Sequence, residues 1–233
     1  MMSMNIHEVM PGIHQVSSNI VNYYLVDMGT LILIDAGMSS DSTHLLSYIR
    51  ENLHRDPSDL SHIILTHYHQ DHIGSAREIS IITGAQIVIH QADSEYLSGT
   101  LTPPKLRGIQ GKFIELMMKF RPPVPIQADI LAKDGDTIGG LVCIHTPGHT
   151  PGSISLYDPT RKVVFAGDAF VTQKGVIKNP PEFANHDLIK ALSSVQKLLS
   201  YDISAIFVGH GVPITHNAKE RLHQFCSREK TEK

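Results

Sequence analysis

The sequence predicts an α/β (α+β) fold, and three observations point to it. Short apolar runs alternate with amphipathic stretches in the order strand, helix, strand, helix, which is the signature of that class. The pattern occurs twice, each half opening on strands and ending on helices, a hint of pseudo-symmetry without a measurable repeat. The chain has 233 residues, 41% hydrophobic and 18% charged. One domain over residues 1–233 can therefore bury its own core without disulfide staples, and a disordered, collagen-like or coiled-coil chain is excluded.

In chain order, Ile13–Val16, Asn19–Asp27 and Thr30–Asp35 read as antiparallel strands, punctuated by Pro11-Gly12 and Met28-Gly29-Thr30. Leu31–Ile34 is apolar throughout, so both its faces should be buried. Ser40 or Asp41 is placed to cap a helix carrying Leu45, Leu46, Ile49 and Leu53. His62–Leu65 is a buried strand, followed by a helix from Ile73 to Thr83 and a strand Gln86–His90. Residues 98–127 hold five prolines around one helical stretch, with Ile109, Phe113, Leu116, Met117 and Phe120 at helical spacing. This segment reads as a surface insertion, either a lid over a groove or a face packed on the domain or on a second subunit. Strands return from Asp129, at Leu141–Thr146, Ser153–Tyr157 and Lys162–Ala166. Asp187–Ser200 is an amphipathic helix, Ser204–Val208 a strand, and a polar helix begins near Asn217.

Composition narrows the function. With 20 Lys+Arg against 23 Asp+Glu and a net charge of −3, nothing favours a nucleic-acid partner. No apolar run is long enough to span a bilayer. No basic residue precedes Arg50, so a secretory leader is not expected. The two cysteines, Cys143 and Cys226, form no motif, and a reducing cytoplasm is the default. The 15 histidines are the outlier, because neutral imidazole is the commonest metal ligand.

Four metal-ligand residues fall within one six-residue stretch. His67, His69, Asp71 and His72 form His-x-His-x-Asp-His at the C-terminal end of a buried strand. In extended chain, residues i and i+2 project to one side, so His67 and His69 can reach one cation. Asp71 and His72, at the turn into the next helix, can face a second point. At the chain's own His and Asp frequencies this pattern is expected roughly 0.004 times by chance. His149 lies in Pro147-Gly148-His149-Thr150-Pro151-Gly152, Asp168 follows Gly167, and His210 stands between two glycines. Each ends a predicted strand, and in α/β sheets such ends converge on a ligand-binding edge. One division gives His67, His69 and His149 to a first metal and Asp71, His72 and His210 to a second, with Asp168 bridging. Such a donor set suits zinc, with iron or manganese as alternatives.

This set, in this order, resembles the metallo-β-lactamase superfamily, as do Leu33-Ile34-Asp35-Ala36-Gly37 and Gly167-Asp168. The resemblance spans residues 20–211. It implies a four-layer αβ/βα sandwich of two mixed β-sheets flanked by helices, with a binuclear site in the groove between the sheets. Aspartate at 168 and Asp-His at 71–72 look like the glyoxalase II and lactonase branch. The chain departs from the glutathione-thioester enzymes, which carry Cys-Gly-Arg where it reads 169–175 as AFVTQKG. It departs from homoserine lactonases in having Val171, not tyrosine, three residues after Asp168. The resemblance also gives Asp35 the role of holding ligand histidines by hydrogen bonds.

The expected chemistry is hydrolysis of a small ester, thioester or lactone by a metal-activated water, with Asp71 orienting that water and passing its proton on. A mononuclear iron persulfide dioxygenase of the same fold is the alternative, and a metal-binding protein without turnover a third reading. A small-molecule substrate is the expected partner, with neither nucleic acid nor membrane; a homo-oligomer is left open.

Overall fold

A computed structural model describes residues 5–18, 20–39, 41–120 and 123–231, without the side chains of 117–120, 230 and 231. Asn19, Ser40 and the side chains of Met117 and Phe120 therefore lie outside the described residues.

The first sheet takes its seven strands in sequence order: β1 (Asn5–Met10), β2 (Ile13–Ser17), β3 (Asn22–Asp27), β4 (Leu31–Ile34), β5 (Leu60–Ile64), β6 (Gln86–His90) and β7 (Ile130–Ala132). The first four pair antiparallel and the last four parallel, so the sheet is mixed. Its crossovers carry α1 (Ser42–Glu51), α2 (Gln70–Ile73), α3 (Ala76–Thr83), α4 (Ser94–Leu97) and α5 (Gly108–Phe120). The second sheet comprises β8 (Thr137–Ile138), β9 (Leu141–His145), β10 (Ile154–Asp158), β11 (Val163–Phe165) and a last strand, Ala205–Phe207, parallel to β11. Between β11 and that strand lie a hairpin of β12 (Val171–Gln173) and β13 (Val176–Lys178) and helix α6 (Leu188–Lys197). The strand Ala205–Phe207 is β14, and α7 (Ala218–Thr231) closes the described chain.

Strand periodicity explains the layering. On β4, Leu31 and Leu33 face α1 and α3, packing on Leu45, Ile49 and Ile79. Ile32 and Ile34 face the other way, into a core shared with Leu141, Leu156, Phe165 and Phe207 of the second sheet. All four residues of β4 are buried. On β11, Val164 turns to α6 and α7 while Val163 and Phe165 turn inward. Each Val, Leu or Ile buried this way stabilises the fold by about 1.5–3 kcal/mol over leaving it exposed. The result is helix, sheet, sheet, helix: the four-layer αβ/βα sandwich that the sequence resemblance implied.

Local boundaries differ from the sequence reading for identifiable reasons. The helix expected over Ile73–Thr83 is two pieces, α2 and α3, because the amides of Gly74 and Ser75 donate to the Gly37 and Ala36 carbonyls instead of along the helix, an approach so close that a side chain at Gly74 would not fit. The strand expected from Asn19 starts at Asn22, whose amide group is drawn off to the carbonyls of Val208 and Gly211. The segment after Asp168, for which no element is expected from the sequence, contains the β12–β13 hairpin, turning through Lys174 and Gly175, both at positive φ. No described helix is long and apolar enough to cross a membrane.

Candidate metal centre

The seven metal-ligand candidates sit on five chain segments that end at one edge of the sandwich. His67 and His69 follow β5, Asp71 and His72 ride on α2, His149 lies between β9 and β10, Asp168 follows β11, and His210 follows β14. Their polar atoms meet. His69 Nδ1 is 2.9 Å from His149 Nε2. The Asp168 carboxylate lies 3.5 Å from His72 Nε2, 3.5 Å from His149 Nε2 and 3.2 Å from His210 Nε2. His210 Nε2 is also 3.3 Å from Asp71 Oδ2. Three overlapping groups can each hold a cation: His67, His69 and His149; His67, His72 and Asp168; and Asp71, His72 and His210.

Four of the five imidazoles in this cluster have Nδ1 occupied from outside, which fixes what they turn in. Thr66 Oγ1 donates to Asp35 and therefore accepts from His67 Nδ1, at 3.0 Å. His72 Nδ1 donates to Asp35 Oδ2 at 2.8 Å. His210 Nδ1 donates to the Ile20 carbonyl at 2.7 Å. Asn185 spends its amide N–H groups on Pro180 and Pro181, so its oxygen accepts from His149 Nδ1 at 3.3 Å. Four imidazoles thereby turn their Nε2 atoms inward, where they converge. Among the described residues, the buried side-chain atoms without any hydrogen-bond partner are His67 Nε2, His72 Nε2 and Asp168 Oδ1. All three belong to this cluster. An unpaired buried polar atom costs about 1–3 kcal/mol, so three aimed at one place fit a bound cation.

Electrostatics divide the cluster in two. Burial first, then the imidazoles of His72, His69 and His149, hold His67 well below the ordinary imidazole range. Burial and His149 bring His69 down to about 3. Burial likewise lowers His149. These three rings are neutral at pH 7 and present lone pairs. For His72, burial opposes the cation, but Asp168, Asp35 and Asp71 together raise it well above its ordinary value. His210, opposed by burial but facing Asp168 and Asp71, rises to about 10. Burial pushes Asp168 up, yet His72 and His210 hold it well below the carboxylate range. A cation entering beside Asp71, His72 and His210 would displace protons, so its uptake should release acid.

The backbone near the cluster is built for close approach. Asp35 follows β4 at φ +61, a conformation uncommon for a residue with a side chain. Its carboxylate takes the Thr66 amide at 2.7 Å as well as the Thr66 hydroxyl and His72. Gly209 has no room for a Cβ, which would strike Asp168 Oδ1 and His72 Cε1. Gly209→Ala is therefore expected to lower metal affinity about 10–100-fold, the range for disturbing groups that orient ligands; metal retained after dialysis, by elemental analysis, checks it.

Three organising residues escaped the sequence reading. Thr66 stands beside the motif, and its hydroxyl links Asp35 to His67. Asn185 lies 36 residues from His149. Asp93, fully buried, accepts from Thr150 Oγ1 and the Gly152 amide, each at 2.6 Å, and from the Tyr68 amide. It thus ties the His67–His72 loop to the His149 loop. The only prior sign of it was an aspartate after a predicted strand, a pattern common to helix starts. His145 stacks on His90 with ring centroids 3.9 Å apart.

The sequence model of the metallo-beta-lactamase superfamily matches residues 18–210. The chain is 30% identical to a Bacillus subtilis (strain 168) protein named "Probable metallo-hydrolase YflN", with 95% of this chain and 92% of that protein covered. It is also 30% identical to an "N-acyl homoserine lactonase" from Bacillus sp, over 67% of this chain and 58% of the other. A solved structure, TTHA1623 in a di-iron-bound form, superposes with a TM-score of 0.66 at 25% identity, covering 88% of this chain and 94% of that one.

Proposed function

Because the chain belongs to the metallo-β-lactamase superfamily, we propose that it is a metal-dependent hydrolase of small esters, thioesters or lactones. The observation that carries this reading is the inward-facing set of partnerless buried donors, His67 Nε2, His72 Nε2 and Asp168 Oδ1. On this reading His67, His69 and His149 hold one divalent cation, and Asp71, His72 and His210 a second, with Asp168 between them. Zinc is the first choice for this nitrogen and oxygen donor set; the di-iron neighbour keeps iron in the comparison. Bound there, the metals supply Lewis acidity and a water acidic enough to ionise near neutral pH.

The chain's own groups do the rest. Asp71 is open at the mouth, its side chain 29% exposed, and it takes a hydrogen bond from His210. Burial pushes its carboxyl up, but His72 and His210 pull it below the ordinary range, so it stays an acceptor. In that state it orients the attacking water and relays its proton to the leaving group. His67 and His149 are nearly inaccessible to solvent, which keeps bulk water off one flank. Cys143 and Cys226 are buried thiols not joined in a disulfide, which suits a reducing compartment.

Chelation tests the reading. Stripped protein is expected to lose ester, thioester and lactone turnover, and two equivalents of zinc should restore it. Full turnover without metal, or activity on phosphodiesters alone, overturns the proposal; one iron per chain with persulfide oxidation points to a dioxygenase.

A further inference from the structure

The helix of the proline-rich insertion, α5, turns an apolar face to solvent. Ile109 is 85% and Phe113 65% exposed. With Gln110, Ile114 and Phe183 they line a shallow, open cleft of about 510 Å³ in which no charged side chain takes part. Exposed apolar surface of this kind marks a place where something binds.

The far wall of the cleft is anchored to the metal centre. Phe183 belongs to the tight turn Glu182–Ala184, and the next two residues are held by the centre itself. Asn185 accepts from His149 Nδ1. The His186 amide donates to the His149 carbonyl at 3.1 Å. His186 Nε2 lies 2.8 Å from the hydroxyl of Tyr68, which stands in sequence between His67 and His69. Since consecutive Cα atoms are 3.8 Å apart, the Phe183 Cα lies within about 8 Å of that of Asn185. The cleft therefore adjoins the ligand loops rather than a remote surface, and its lining is hydrocarbon apart from Gln110.

Resting on the hydrolase reading above, we propose that this cleft holds the substrate's acyl chain, an unbranched aliphatic chain of medium length, while its carbonyl lies at the metal centre. A methylene moved from water into apolar surroundings is worth about fourfold in kcat/KM. In an open cleft, half of the six methylenes that separate octanoyl from acetyl would be covered, which gives about a 60-fold preference.

The test is the ratio of kcat/KM for 4-nitrophenyl octanoate to that for 4-nitrophenyl acetate, measured on zinc-loaded protein. The expected ratio is about 60 for the natural sequence, falling at least tenfold in Phe113→Asp and in Ile109→Ser. Taking the ratio within each protein cancels any loss of folded enzyme. Acetate turnover with no chain-length preference, or a preference that both substitutions leave intact, overturns the cleft but not the hydrolase. If neither ester turns over, the hydrolase reading fails on its own account. Calorimetry with sodium octanoate then decides the cleft: binding weakened tenfold by Phe113→Asp supports it, and binding that is absent or unchanged overturns it. A dimer that Phe113→Asp dissociates without moving the ester ratio would make this face a contact between copies and also overturn the proposal.

Discussion

Asp168→Ala is expected to lower kcat/KM by about 10³-fold or more, since Lewis-acid stabilisation is worth several kcal/mol and this side chain touches both halves of the centre. Its carboxylate lies within 3.5 Å of His72, His149 and His210 at once. No other side chain of the cluster contacts all three. Its removal leaves the His67, His69 and His149 group intact as a possible holder of one cation, while Asp71, His72 and His210 lose the charge that joins them to it. On the proposed two-metal reading, the metal content is therefore expected to fall from two equivalents towards one, not to zero. Elemental analysis alongside kinetics checks both parts. A variant that keeps two metals and ordinary turnover would show that Asp168 does not bridge. Asp168→Asn separates charge from shape: it retains an oxygen donor but loses the negative charge that holds His72 and His210 protonated in the metal-free chain. It should therefore keep the fold and lose most of the activity.

The sequence disclosed those parts of the fold that obey local rules. Strand Gln86–His90 was read to the residue, because its apolar run is bounded by Gly84 on one side and a turn on the other. The seven candidate ligands, which the structure brings to one edge, stood out because histidine and aspartate at strand ends are conspicuous in type. Parts that depend on distant neighbours were not legible. Strand β1 has a mostly exposed pattern and owes its form to pairing with β2. The β12–β13 hairpin turns at Lys-Gly, a weaker cue than Asn-Gly. Asn185 reaches His149 across 36 residues, and Asp93 reaches Thr150 and Gly152 across 57 and 59, separations no periodicity records. The stripe on α5 was read correctly as helical spacing, but periodicity alone could not say that Ile109 and Phe113 would face water.

Asp93 gives the second large effect, on stability and on the coupling of the two ligand loops. Asp93→Ala leaves the amides of Tyr68 and Gly152 without acceptors in a place that solvent does not reach. At about 1–3 kcal/mol for each orphaned donor, the loss should be about 2–6 kcal/mol. Asp93→Asn behaves differently. Its oxygen can still take the Gly152 amide, and its N–H can donate to Thr150 Oγ1, which has Ser153 Oγ at 2.7 Å for its own proton. Asparagine also removes a buried charge. Burial outweighs the three hydrogen bonds and pushes the Asp93 carboxyl up to about 6. The folded chain thus binds a proton that the unfolded chain has already released, and wild-type stability falls as pH rises through the interval from about 4 to about 6. This contribution is fully present below pH 4 and gone above pH 6, where the difference amounts to about 2–3 kcal/mol at 1.36 kcal/mol per unit. Urea unfolding of metal-free protein at pH 4.5 and 7.5 should show Asp93→Asn gaining on the wild type as pH rises, with Asp93→Ala less stable at both. A gap between Asn and wild type that does not change with pH would mean that Asp93 is charged throughout, and that its three donors, not its burial, set its ionisation.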